Sequence, residues 1–413
     1  MVSLSYSPYI YYNMPFDFNL YSSLLIPPFL HGILFAILLF IRGRREERLA
    51  DTLLAWILVI NVIKIAFWML GFAGWYDGHD GYTSFMFYFP FNNLILLGPL
   101  VYFYFLSLTN SSFQFSKKHG PHFILPIVYI VLIMGKLVID YSINYPFLPE
   151  ETSQYGTRGP LAELDKKYVL QIVYYASFGY YLWKTLKEFG FYQKYILENF
   201  SSIKSISFNW LKNLIYVVGA GVVVFLVFDL ISIIRPTGNS YIFDWYAYIG
   251  LGAVVYFLSI VGYFNLSNTW HQLQFSSQVP EETDKEKIDP TPAITPEAII
   301  ADTAFQEKLK TLMTNQLLYL QPELTLHELA RHLKLNPSLL SKMINTQMGQ
   351  NFNDFVNEYR VNALLQKLKS GEHHTKTLLS LAYESGFNSK ATFNRAFKKV
   401  IGRTPKEFLA GHT

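Results

Sequence analysis

The chain has 413 residues, of which 51% are hydrophobic, 17% aromatic and only 15% charged, with a formal net charge of +4. That balance excludes an ordinary soluble protein of this length, and the excess of apolar residues lies before residue 267. The absence of cysteine excludes disulfides, thiol chemistry, a lipoprotein anchor and cysteine zinc sites.

Met1 to Leu20 contains no lysine or arginine, so it lacks the positive n-region of a cleavable signal peptide. Seven apolar stretches follow, each near the roughly 20 residues that cross a bilayer. They fall near Tyr21–Ile41, Ala50–Trp75, Phe85–Leu108, His122–Asp140, Tyr168–Leu186, Leu214–Ile234 and Tyr241–Leu266. Tyrosines and Lys184 dilute the fifth. Trp75, Tyr76, Tyr241 and Trp245 sit near span ends, where amphipathic rings favour the interface.

Loop charge gives the orientation. Arg42, Arg44, Arg45 and Arg48 follow the first span, Lys117 and Lys118 the third, and Lys184, Lys187, Lys194, Lys204 and Lys212 the fifth. The alternate loops hold only Arg158, Lys166, Lys167 and Arg235. By the positive-inside rule the N-terminus is outside, and seven crossings deliver the C-terminus to the cytoplasm of a bacterial inner membrane.

Within these spans lie Asn61 and Lys64 in the second, Lys136 and Asp140 in the fourth, and Asp229 in the sixth. Ionisable groups are costly in hydrocarbon and normally face the bundle interior or water. Lys136 and Asp140 are spaced to pair on one helix, and Asp229 is a candidate partner for Lys64 across the bundle. These residues form either a polar sensing pocket for a small or membrane-borne ligand, or simply structural ion pairs, which is the simpler reading. The external loops are too short for a separate sensor domain. Asp77-Gly-His-Asp-Gly81 reads as a turn rather than a metal site, because four convergent ligands are not visible nearby. His119 and His122 read as interfacial, and His373-His374 as solvated. No Walker loop, glycine-rich nucleotide site, zinc-protease helix or serine elbow occurs, so the sequence predicts neither an enzyme nor a cofactor.

Ser267 to Thr295 is charged, rich in proline and poor in core residues, which predicts a flexible linker. Thr295-Pro296 then starts a helix carrying Ile299, Phe305, Leu309 and Leu312. Three parts follow: a seven-span domain over 1–266, a linker over 267–295 and a helical domain over 296–413. The predicted fold class is all-α.

The last part contains one pattern twice, at about 325–348 and 377–399. In the first copy, Thr325-Leu-His-Glu328 is a capping box, and Leu326, Leu329, Ala330 and Leu333 share a stripe. Lys334-Leu-Asn336 makes the turn, with Pro337 at the first position of the next helix. There Leu340 and Ile344 look inward, leaving Ser338, Ser341, Lys342 and Asn345 outward. In the second copy, Leu378, Leu381 and Ala382 form the stripe, Gly386 ends the helix and Ser389 caps the next. Phe393 and Phe397 reach inward, while Lys390, Asn394, Arg395 and Lys398 face out. Asn353 to Lys369 reads as one helix joining the copies. Long basic arms and amide groups on a helix face suit phosphates and base edges in a major groove. The cationic bias after Asp302 agrees.

The span from Tyr319 to Phe408 resembles the DNA-binding domain of the AraC family of bacterial transcription regulators. The resemblance rests on Leu324-Thr325-Leu326, Glu328-Leu329-Ala330, Leu340-Ser341-Lys342, Gly349, Phe352, Arg360, Ala363 and Leu365. In the second half it rests on Leu381-Ala382, Gly386-Phe387, Phe393-Asn394-Arg395-Ala396-Phe397-Lys398, Gly402 and Thr404-Pro405 through Phe408. It implies DNA contacts through Ser338, Ser341 and Lys342 in one recognition helix, and through Lys390, Ala391, Asn394 and Arg395 in the other. Ser338 and Ser341 are short and Ala391 cannot hydrogen-bond, which shifts the first helix toward phosphate anchoring.

The expected function is a membrane-bound one-component regulator reading two adjacent major-groove segments of a promoter. Expected partners are the bilayer, RNA polymerase, an unidentified ligand and a second copy of the chain. Two alternatives stay open: a seven-helix receptor or transporter whose tail is an interaction module, and a regulator released by proteolysis in the linker.

Overall fold

A computed structural model describes residues 17–75, 85, 88–89, 94–144, 161, 168–234, 241–264, 273–275 and 303–410. Among them the regular structure is helical, with two isolated β-bridges besides. The chain divides into two compact units, Met1–Lys187 with Asn209–Gln274, and Glu188–Phe208 with Phe275–Thr413.

The first unit opens with the short α1 (Leu20–Ser23), capped by the Asn19 side chain. Each predicted span then coincides with a helix: α2 (Ile26–Arg45), α3 (Leu49–Phe72), α4 (Leu94–Thr109), α5 (Ile124–Ile139), α6 (Tyr168–Asn199), α7 (Asn209–Ile234) and α8 (Tyr241–Phe264). Among the described residues, four segments are long and apolar enough to cross a membrane, not seven: Leu20–Arg45, Leu49–Phe72, Lys117–Ser142 and Trp245–Phe264. α4 has 16 residues. That is about 24 Å of helix against a hydrocarbon core of about 30 Å. α6 is long, at 32 residues, but its tyrosines, lysines and glutamates dilute its apolar character.

The outward faces are what lipid requires. Leu30, Leu34, Ile37 and Ile41 on α2 and Ile127, Val131, Leu132 and Val138 on α5 are each more than half exposed. Contiguous apolar surface of this kind is a liability in water and neutral against acyl chains. Inside, α2, α3 and α8 pack together. Gly32 is what lets them meet: a Cβ there would lie 2.3 Å from Val62 and 2.8 Å from Val255. Small residues at such crossings are the usual means of close helix approach in membranes.

The α2–α3 turn is locked by charge. Arg42, in the last turn of α2, donates from Nε and Nη2 to the two Asp51 carboxylate oxygens at 2.7 and 2.8 Å, and from Nη1 to the Tyr263 carbonyl at 2.7 Å. Asp51 is 2% exposed. Removing one partner of a buried pair strands the other, so Asp51→Ala should cost about 3–5 kcal/mol. Thermal melting of the full chain in detergent measures this, and an unchanged midpoint would show that the pair is dispensable.

The second unit comprises α9 (Thr303–Thr314), α10 (Leu326–Leu333), α11 (Pro337–Met348), α12 (Phe352–Lys369), α13 (Leu378–Glu384), α14 (Lys390–Ile401) and α15 (Pro405–Ala410), together with the end of α6. It has two small cores. Leu309, Leu312, Leu329, Leu340, Ile344 and Phe355 centre the first; Val361, Leu364, Leu381, Phe387, Phe393 and Phe397 centre the second. α12 serves both, giving Phe352, Phe355 and Val356 to one and Val361, Leu364 and Leu368 to the other.

Of the predicted linker 267–295, the described residues are 273–275, and Leu273 and Phe275 are buried. Ser111 donates its backbone N–H to the Leu273 carbonyl at 2.9 Å. An alternating apolar pair inside a polar stretch is enough to anchor it locally. The rest of that linker, the Asp77–Gly81 turn and Thr295-Pro296 lie outside the described residues.

Candidate nucleic-acid interface

Each helix pair is built by local rules visible in the residues. At α10, the Thr325 hydroxyl accepts the Glu328 N–H at 3.2 Å, and the Glu328 carboxylate accepts the Thr325 N–H at 2.8 Å. This reciprocal cap satisfies donors that helix geometry leaves open. Lys334, at φ 58°, ends α10 in the left-handed region. The Asn336 side chain then caps α11 by accepting the Ser338 N–H at 2.8 Å, with Pro337 at the first helical position. In the second pair Thr377 caps α13, Gly386 turns the chain at φ +94°, and Ser389 caps α14 through the Thr392 N–H at 3.2 Å.

These caps fix which faces look out. On α11, Leu340, Met343 and Ile344 are fully buried, while Ser338, Lys342 and Asn345 are exposed and Ser341 is half-buried. Asn345 donates to the Ser341 hydroxyl at 3.4 Å. On α14, Phe393, Ala396 and Phe397 are buried, while Lys390, Ala391, Asn394, Arg395 and Lys398 are exposed.

Electrostatics separate the cations into two sets. Lys367 and Lys376 both donate to Glu384, at 3.0 and 2.9 Å, and Lys399 pairs with Asp354 at 2.5 Å. The two lysines hold the Glu384 carboxyl below the usual carboxylate range, Lys376 contributing most. By contrast, Lys342, Lys390, Arg395 and Lys398 form no ion pair among the described residues. They stand on the two second helices, and of the four only Lys398 has an acidic neighbour, Glu407, whose carboxyl it helps to hold down. A polyanion could take up all four.

Arg360 and Asn353, on α12, belong to this unit in a way the sequence reading missed. Arg360 is fully buried. Its guanidinium donates to the carbonyls of Tyr319 at 2.8 Å and Gln321 at 2.7 Å, and to the Ser201 hydroxyl at 3.1 Å. Desolvation pulls its pKa down to about 9, so it remains charged at neutral pH. The available signal was an arginine on the helix stripe that also holds Val356 and Leu364, a core position for a cation.

The polar residues of the first unit divide as follows. Asn61 and Lys64 come together on one cavity of about 410 Å³, otherwise lined mainly by apolar residues of α3, α4, α6, α7 and α8. Asn61 donates to the Ile57 carbonyl of its own helix at 2.7 Å, and the Lys64 ammonium lies 5.9 Å from the Tyr248 ring centre. Lys136 and Asp140 do not line that cavity. Asp140 is buried and accepts from the Tyr88 hydroxyl and from the Leu161 N–H, the latter at 2.8 Å. The Asp229 side chain lies outside the described residues.

Two capped helix pairs, joined by one helix and each presenting a polar second helix, define a tandem helix-turn-helix unit. Residues 329–411 match the family model described as a helix-turn-helix domain, so the C-terminal region carries a domain of the AraC type. Over 88 residues the chain is 33% identical to an uncharacterised HTH-type transcriptional regulator, YtdP, of Bacillus subtilis strain 168, covering 21% of this chain and 11% of the relative. An uncharacterised HTH-type transcriptional regulator of Staphylococcus aureus strain COL is 31% identical over 91 residues, 22% of this chain and 12% of its own. The matched region thus spans about a tenth of the length of these curated relatives. A solved structure of a protein of unknown function from Listeria innocua is similar at 27% identity and a TM-score of 0.22, covering 26% of this chain and 95% of that one.

Proposed function

We propose that this protein is a membrane-anchored, one-component transcription regulator. The observation that carries this reading is the pair of helices α11 and α14, on whose outward faces Lys342, Lys390 and Arg395 form no ion pair among the described residues, on a chain whose other unit turns apolar faces outward. The helix-turn-helix unit binds promoter DNA through two adjacent major-groove segments, with Lys342 and Lys390 on phosphates and Asn394 and Arg395 toward base edges. The first unit anchors the chain in a bacterial inner membrane through its long apolar helices and leaves the C-terminal unit in the cytoplasm. The cavity at Asn61 and Lys64 is the site that senses a ligand. Activity arises from binding, without catalysis.

Chromatin pull-down with a tagged full chain tests this directly. Enrichment of discrete promoter segments is expected, and recovery no better than bulk DNA would favour a membrane receptor with an interaction tail. Affinity should fall steeply with salt, because each neutralised phosphate releases counterions. Lys342→Ala should weaken binding about equally on all sequences and flatten the log–log salt slope by about one. Titrating full chain in lipid nanodiscs against duplex at several salt concentrations reads that slope; an unchanged slope removes Lys342 from the phosphate contacts.

A further inference from the structure

The second compact unit includes a segment that the sequence assigns elsewhere: Glu188–Phe208, the end of α6 and the loop after it. This loop, between the fifth and sixth apolar stretches, is packed into the helix-turn-helix unit. Phe200 forms an antiparallel bridge with Thr325, the cap of α10, and Ser201 donates its N–H to the Leu324 carbonyl at 3.1 Å. Asn353 of α12 donates its amide to the carbonyls of both Phe200 and Ser201, at 3.0 and 2.9 Å. Ser202 donates its hydroxyl to the Asn388 side chain at 2.8 Å, one residue before the cap of α14. Ser201 is fully buried, and Asn353 is 2% exposed.

The segment therefore touches the start of the first helix pair, the joining helix and the turn of the second pair. It leaves the outward faces of α11 and α14 open, since the DNA-facing candidates on both helices stay exposed or half-buried with the segment docked. A cover over the DNA face is thereby excluded. What the geometry supplies is a brace. The brace is also fastened to α6: the Tyr192 hydroxyl donates to the Ile206 carbonyl at 2.5 Å, and the Tyr192 ring stacks on Phe208 at 5.9 Å.

We propose that Phe200–Ser202 is an internal positioning strap that sets the mutual placement of the two recognition helices. Displacement of α6 at its C-terminal end then changes how the pair fits two groove segments. Its bearing on transcription rests on the DNA-binding reading above; the strap itself is a contact within the chain. Asn353 is the central positioning residue, because one buried amide holds two consecutive strap carbonyls. Its remaining oxygen accepts from Asn357 at 3.1 Å, which fixes its rotamer. Ser202 is the tie to the second helix pair.

The absence of cysteine makes the test direct. Nitroxide labels on Thr346→Cys and Val400→Cys, exposed positions on α11 and α14 outside the proposed DNA contacts, report the helix-to-helix distance by pulsed electron resonance in nanodisc-embedded full chain. One narrow distance is expected with the strap intact. Asn353→Ala and, separately, Ser202→Ala should at least double the width of the distribution. Both variants should bind duplex about three- to tenfold more weakly, the range expected for losing one or two hydrogen bonds. Should Asn353→Ala misfold, Ser202→Ala decides, since it removes one exposed tie and no core atom. A distribution unchanged in a variant that melts like the natural chain overturns the strap. The distance needs no DNA, so failure of the chain to bind duplex would sink the regulator reading and leave this measurement standing.

Discussion

Arg395→Ala should weaken binding of the full chain to its preferred duplex by about 1–3 kcal/mol and relax the preference at one base position. The reasoning starts from where the side chain sits. Arg395 is exposed on α14, while Phe393, Ala396 and Phe397 on the opposite face are buried and hold the helix in place. It forms no ion pair among the described residues, unlike Lys399, which is tied to Asp354. A planar fork of donors on a fixed helix matches the two acceptors of a guanine edge, and alanine removes both bonds. Arg395→Lys separates base reading from simple charge: it keeps the phosphate term and should recover the salt slope but not the base preference. Binding of the alanine variant to a randomised duplex pool, followed by sequencing, reads both quantities. Unchanged affinity and unchanged preference would exclude Arg395 from base contact. The companion variant Asn394→Ala should alter preference at a neighbouring position, since an amide pairs with adenine.

The recognition helices were legible because local chemistry dictates them. Thr325, Asn336, Thr377 and Ser389 announce helix starts, Gly386 announces a turn, and the apolar stripes say which side is buried. Each of these is settled within a few residues. The seven apolar stretches were likewise found as helices; four of them are long and apolar enough among the described residues to cross a membrane, while α4 is short and α6 is diluted. Patterns of this kind do not report contacts between distant segments. Ser201 and Asn353 are 152 residues apart, and neither has a periodicity or motif that names the other. Arg360 was noted for matching a family position; its partners, four carbonyls and a hydroxyl from segments far away in sequence, were not deducible. Asp140 accepts from Tyr88 and Leu161, which come from other segments and which its spacing from Lys136 does not suggest. Spacing finds neighbours along a helix and misses those that folding brings across it.

The most destabilising single change in the second unit should be Arg360→Leu, at about 3–5 kcal/mol. Leucine fills part of the volume and supplies none of the donors. The carbonyls of Tyr319, Gln321 and Ser201 would then be buried with one bond fewer, and the Ser201 hydroxyl would lose its cationic partner. Each stranded acceptor costs about 1–3 kcal/mol when water cannot reach it. Gly386→Ala attacks the same junction from the other side. At φ +94° a Cβ is strained, and it would lie 2.4 Å from the Tyr319 carbonyl oxygen and 3.1 Å from Arg360 Nε. A loss of at least about 2 kcal/mol is expected there, because the obstructing atoms are backbone. Hydrogen exchange of α12 and α13 amides in the full chain measures both, and protection equal to the natural chain would refute the junction's role. The pH dependence has a definite sign. With the folded pKa near 9 and the unfolded value well above it, both states carry the charge through neutrality. The gap between natural and Arg360→Leu chains should therefore stay constant over roughly pH 6 to 8. Above about 9 the unfolded natural chain holds a proton that the folded one sheds, so its stability rises relative to the variant. A gap that widens or closes near neutral pH would mean that a histidine or carboxylate, not Arg360, governs the junction.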